Sequence, residues 1–231
     1  MRRAVAAWSA VVILLGACGG APEPEAPPGR VVRFTTDDGV RLTGELRGRG
    51  TTGVILSHMF PTDRASWAAF ADVLADEGYL ALTFDFRGYG DSEGERAIPD
   101  IWRDVLAAIE FLRGRGAGRV VLIGASMGGT ASLVAAARED VAGVVSLSGA
   151  STFMGLLAPP EALRAITEPK LFVAAEGDGS AAGTAQQFYA NSPPPKRVEI
   201  VTGDDHGTDL LTGTQGERVR AFIVGFLRQY A

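Results

Sequence analysis

Residues 119–137, RVVLIGASMGGTASLVAAA, constrain the fold of this chain more than any other stretch. The first five are β-branched or aliphatic apart from Arg119, the pattern of a strand buried on both faces. From Thr130 onward the residues are small and apolar, with the Ala and Leu content of a buried helix. Between the two runs stands Gly124-Ala125-Ser126-Met127-Gly128. A strand that turns at once into a helix must hold the residue at the turn in a strained conformation, and glycines two positions either side let the two backbones pass closely. The Ser126 hydroxyl is then pushed out above the strand end, with free N–H groups of the helix N-terminus behind it. Ser126 is the candidate nucleophile.

Runs rich in β-branched residues alternate with helical runs along the rest of the chain. Residues 31–36 and 40–47 alternate apolar and polar around Asp37-Asp38-Gly39, which predicts a β-hairpin at the antiparallel edge of a sheet. Strands are predicted at 53–57, 79–84, 119–123, 141–147, 170–174 and 197–201. Helices are predicted at 65–77, 98–113, from 130, near 181–190 and at 215–230. This alternation implies an α/β fold with a mainly parallel sheet of about eight strands and helices on both faces. Ligand sites in such sheets lie at the carboxyl ends of the strands.

The chain has 231 residues, 46% of them hydrophobic, enough for one domain with a substantial core. A net charge of −5 without basic runs argues against nucleic acid as a partner. Residues 1–17 form a short basic start and an apolar run, an export-signal layout too short for a comfortable membrane span. Leu15-Gly16-Ala17-Cys18 resembles the lipobox of bacterial lipoproteins, which implies cleavage before Cys18, lipidation of that residue and a membrane anchor. The lone Cys has no disulfide partner, which agrees. Gly19 after the Cys implies, by the same resemblance, the outer membrane in a Gram-negative organism. Residues 18–29 are rich in Gly, Pro and Glu and read as a tether, leaving 30–231 as the catalytic domain.

A serine hydroxyl needs an adjacent base at neutral pH. The chain offers two histidines, His58 and His206. His206, in GDDHG, follows the last predicted strand and is the candidate base; His58 reads as structural. From Val31 to the C-terminus the chain resembles the α/β-hydrolase family, with the dienelactone-hydrolase-like and small-esterase branches looking closest. The resemblance rests on Ser126 in GASMGG, on SHMFP at 57–61, on DFRGYGDS at 85–92, on Asp178, on His206, and on the order Ser, Asp, His. It implies that Asp178, after the 170–174 strand, orients the histidine, with Glu176 as the rival. It implies an oxyanion hole from the backbone of Met127 and of Phe60, with Met59 the fallback, because this chain has His-Met-Phe-Pro where the family usually has His-Gly-x-Pro.

Residues 85–92 read as a turn network in which Asp85 and Arg87 hold loops beside the site, and Trp67 as core. Only 148–168 could supply a lid, and Pro159-Pro160 is expected to break it, leaving at most one short helix. Phe153, Met154, Leu156 and Leu157 could wall a small open pocket. These readings imply a serine esterase acting on small carboxylic esters through an acyl-enzyme, with no metal or cofactor. A serine peptidase on the same triad and a non-catalytic binding lipoprotein are the alternatives. A nucleophilic Asp, as in dehalogenase and epoxide-hydrolase relatives, is excluded by Ser126.

Overall fold

The structure is a computed structural model that describes Met1 and residues 29–231. The expected signal segment, Cys18 and the tether up to residue 28 lie outside the described residues. Among the described residues no helix is long and apolar enough to cross a membrane.

Eight strands form one sheet: β1 (Arg30–Thr35), β2 (Arg41–Arg47), β3 (Thr52–Ser57), β4 (Leu80–Phe84), β5 (Arg119–Ala125), β6 (Gly143–Leu147), β9 (Lys170–Ala175) and β10 (Lys196–Val201). Their spatial order is β1-β2-β4-β3-β5-β6-β9-β10. β2 pairs antiparallel with β1 and β4, and every other pairing is parallel. The predicted hairpin therefore forms the antiparallel edge, its turn closed by Val40 N–H donating to Thr36 Oγ1 at 2.9 Å.

The central strands are apolar on both sides because helices cover both faces. Along β5, Val120 and Leu122 enter one core with helices α2 (Ile101–Arg113), α3 (Met127–Ala136) and α5 (Ala181–Asn191). Val121, Ile123 and Ala125 enter the other, with α1 (Ala68–Asp76) and α6 (Gly216–Tyr230). In α2 the buried residues Ile101, Val105, Ala108, Ile109 and Leu112 recur at helical spacing and so form one apolar stripe. A single 3-10 turn, Arg64–Trp67, leads into α1 and is capped by the Asp63 carboxylate accepting from Ala65 N–H. Gly78, at φ 88°, ends α1 with Tyr79 N–H donating back to Leu74 O, the left-handed stop that glycine favours. Trp67 is fully buried in the core.

Two local expectations are corrected. The helix after Ser126 begins at Met127 rather than Thr130, because the glycines between them pack against backbone and need no side chain to be helical. Pro159-Pro160 does not break a helix but starts one: Pro159 caps α4 (Pro160–Ala165), and Pro160 takes the first position, where no N–H is required. Ahead of α4, the two-residue strands β7 (Thr152–Phe153) and β8 (Leu156–Leu157) form a small flap. Between β6 and β9 the chain carries only this flap and the short α4.

Candidate active site

Ser126 joins β5 to α3 at φ 48° and ψ −114°, a backbone strain of about 1–3 kcal/mol for a residue with a side chain. The flanking glycines are sterically required. An ideal Cβ on Gly124 would lie 2.2 Å from Gly128 O, and one on Gly128 would lie 2.2 Å from Ser57 O. Ser126 N–H donates to Leu147 O at 2.7 Å, which ties the turn to β6.

His206 sits in the loop between β10 and the 3-10 turn Gly207–Leu211. Its Nδ1 lies 2.9 and 2.8 Å from the two carboxylate oxygens of Asp178, on the loop after β9. An ionised carboxylate only accepts, so Nδ1 carries the proton and Nε2 is left as the basic nitrogen. Both hydrogen bonds of the ring go to Asp178, and none joins it to Ser126 Oγ among the described residues. The two loops nonetheless meet: a Cβ on Gly207 would lie 3.4 Å from Ala125 Cβ. The residue after His206 thus stands against the residue before Ser126. Glu176 is exposed, as are Asp204 and Asp209, and the Asp205 carboxylate covers Gly213.

Met127 is the first residue of α3, so its N–H has no acceptor one turn back in the helix. Phe60 lies three residues beyond β3, its ring 5.7 Å from Phe153 and 6.5 Å from Tyr89. His58 holds this loop. Its Nδ1 donates to Met59 O at 2.9 Å and its Nε2 accepts from Phe86 N–H at 3.1 Å. Both nitrogens are committed, and burial pushes the His58 pKa down, so the ring is neutral and structural. Met59, standing where the family usually has Gly, fills the gap between this loop and the His206 loop. A Cβ on Gly207 would lie 2.6 Å from Met59 Sδ, and Thr208 Oγ1 is 3.6 Å from that sulfur.

The 85–92 segment is the turn network expected. Asp85 pairs with Arg64 and accepts from Asp91 N–H at 2.9 Å. Arg87 Nε donates to Asp104 Oδ1 at 2.8 Å, and its Nη1 donates to Asp38 Oδ2 at 2.7 Å. The Asp104 and Asp38 partners were not legible, since nothing in a helix or a hairpin turn marks either for Arg87. Among the described residues no group of three or more His, Cys, Asp or Glu is placed to hold a metal ion.

Comparison with known proteins places the chain in a family. The uncharacterized protein Rv2307c of Mycobacterium tuberculosis is 27% identical over 94% of this chain and 88% of its own length. Epoxide hydrolase A of the same organism is 33% identical over 71% of this chain and 55% of its own length. The structure of the Pyrococcus furiosus esterase Pf2001 superposes with a TM-score of 0.76 at 20% identity, covering 88% of this chain and 91% of that one. The profile of the alpha/beta hydrolase fold matches residues 53–172, more than half of the sequence, and the chain belongs to that family.

Proposed function

We propose that this protein is a serine hydrolase that cleaves small carboxylic esters. The observation that carries the reading is the pair of Ser126, strained at a strand-to-helix turn, and a His206 ring fixed by Asp178 in the loop packed against that turn. In the mechanism, Ser126 Oγ attacks the ester carbonyl carbon while His206 Nε2 takes its proton, and Asp178 stabilises the imidazolium. The tetrahedral oxyanion is met by the N–H groups of Met127 and Phe60. Collapse breaks the bond to the alcohol, which leaves with the proton from His206. Water, deprotonated by His206, then attacks the acyl carbon; the bond to Ser126 Oγ breaks, His206 returns the proton to Oγ, and the acid is released.

The flap of β7, β8 and α4 is too short to enclose a long chain, and Phe60 and Phe153 give it an apolar edge, which favours short acyl groups. The epoxide-hydrolase relative raises a second reading, and the chemistry of Ser126 opposes it. A serine oxygen that opened an epoxide would form an ether, which the site could not hydrolyse, so the enzyme would stop after one event.

The test is hydrolysis of a short-to-long series of p-nitrophenyl esters, beside Ser126→Ala. The expected result is activity that peaks at short chains and disappears in the variant. Activity on long chains alone would refute the open pocket, and turnover of an epoxide would refute the serine chemistry. We further propose that Cys18 is lipidated after cleavage of residues 1–17, anchoring the domain to a membrane. Mass spectrometry of the native protein should find an acylated Cys18 at the N-terminus, and an unmodified Cys18 would reject it.

A further inference from the structure

We infer that Ser148 is a positioning residue that sets the His206 loop at a fixed distance from Ser126. The inference rests on the proposed triad. Ser148 directly follows β6, is 3% exposed, and has φ 51°. Its N–H donates to Val173 O on β9 at 2.8 Å, which locks its backbone to the sheet. The preceding carbonyl, Leu147 O, accepts the Ser126 N–H at 2.7 Å, and Ser148 Oγ accepts the Gly207 N–H at 3.1 Å. One dipeptide, Leu147-Ser148, therefore holds the backbone of the nucleophile at one end and the residue after the base at the other, with only a few covalent bonds between the two anchor points.

Three features show that the hydroxyl is more than a convenient neighbour. Gly207 is buried and opens a 3-10 turn, so its N–H has no acceptor within that turn and needs one from elsewhere. Ser148 keeps a side chain at a backbone angle where glycine would be unstrained, and the side chain it keeps is an acceptor. Met59 restricts the same loop by packing on Gly207, but a thioether contact is broad and undirected. The Ser148 hydrogen bond is directional and aligns the peptide that carries His206. Asp178 orients the ring about its own axis, whereas Ser148 locates the backbone from which the ring projects.

The experiment uses the full chain, Ser148→Gly, Ser148→Ala and Ser126→Ala, with a fluorophosphonate probe and a short p-nitrophenyl ester. Ser148→Gly removes the acceptor while relieving the backbone, so it separates positioning from folding. Both Ser148 variants are expected to label to full stoichiometry, with a labelling rate and a kcat about 10- to 100-fold lower and a KM within about threefold. Wild-type rates in Ser148→Gly would overturn the inference, as would a loss confined to stoichiometry or to KM. If the wild type does not label, or Ser126→Ala labels equally, the triad reading itself fails and takes this inference with it.

Discussion

Replacing Gly128 by Ala should damage stability and catalysis together. The added Cβ would lie 2.2 Å from Ser57 O, 2.6 Å from His58 O and 2.6 Å from Ser57 C. All three are backbone atoms at the end of β3, in the sheet centre, so none can swing aside. Ordinary contact begins at 3.4 Å, so the start of α3 and the end of β3 must separate by roughly 1 Å. Overpacking of this kind costs about 3 kcal/mol, which for a domain of this size lowers Tm by about 6–12 °C. The same separation moves Met127 N–H away from the Phe60 loop, the two proposed oxyanion donors. A misplacement of about 1 Å there costs on the order of 100-fold in kcat, measured at a temperature where the variant is fully folded. Thermal unfolding and ester hydrolysis on the same preparation give both numbers. Gly183→Ala is the control: its Cβ would meet nothing within 4 Å, in the exposed face of α5, and it should gain about 0.5–1 kcal/mol with unchanged kcat. Gly128→Ala with wild-type Tm and a kcat within about threefold would refute the close-approach argument.

Asp178→Asn should lower kcat by about 10⁴-fold by favouring the wrong His206 tautomer, whereas Glu176→Gln should stay within about twofold; equal losses would return Glu176 to consideration. The Arg87 network should shape stability against pH in two opposite ways. The Arg87 guanidinium holds Asp38 down at about 2, so its contribution is full above the unfolded value of 3.8 and is lost as pH falls through about 2. At an exposed carboxylate this is worth about 1 kcal/mol after screening. Burial pushes Asp104 up to about 6, so its effect reverses, and stability declines as pH rises from 3.8 through about 6. Urea midpoints from pH 2 to 8 should lose the acid limb in Asp38→Asn and the upper decline in Asp104→Asn; unchanged profiles would refute both assignments.

The strand-turn-helix at Ser126 was legible because its constraint is local: two glycines, a buried strand and a small-residue helix lie within nineteen residues. His206 stands out by scarcity and Asp178 only through the family resemblance, which places an acid after β9; the structure pairs the two. The parts that were not legible depend on long-range partners. Asp104 reads as an ordinary acidic residue in the first turn of α2, and only the fold brings it to Arg87. Ser148 is one serine among many until β6 and the His206 loop are placed side by side. Pro159-Pro160 is ambiguous for a different reason. The same ring that stops a helix from inside starts one from its first position, and the sequence does not say which side of the pair the helix occupies.

The sheet register also fixes which end of the domain the proposed anchor joins. Arg30 pairs with Leu46, and the neighbouring Arg47 pairs with Ala81 near the start of β4. Because β1 runs parallel to β4, residue 30 lies at the amino ends of the parallel strands, whereas Ser126, Asp178 and His206 all follow carboxyl ends. The chain thus enters the domain at the end opposite the site. On the anchor proposal, residues 19–29 span at most about 40 Å even when fully extended, and they attach at the far end. On that proposal the site lies at the end of the domain away from the anchor, and an ester buried in the same bilayer is out of reach without the domain turning over. Lipidated protein in liposomes should hydrolyse a water-soluble short ester at the rate of detergent-released protein, and leave a long-chain ester embedded in those liposomes intact. Faster cleavage of the embedded ester would refute this orientation while leaving the triad chemistry in place.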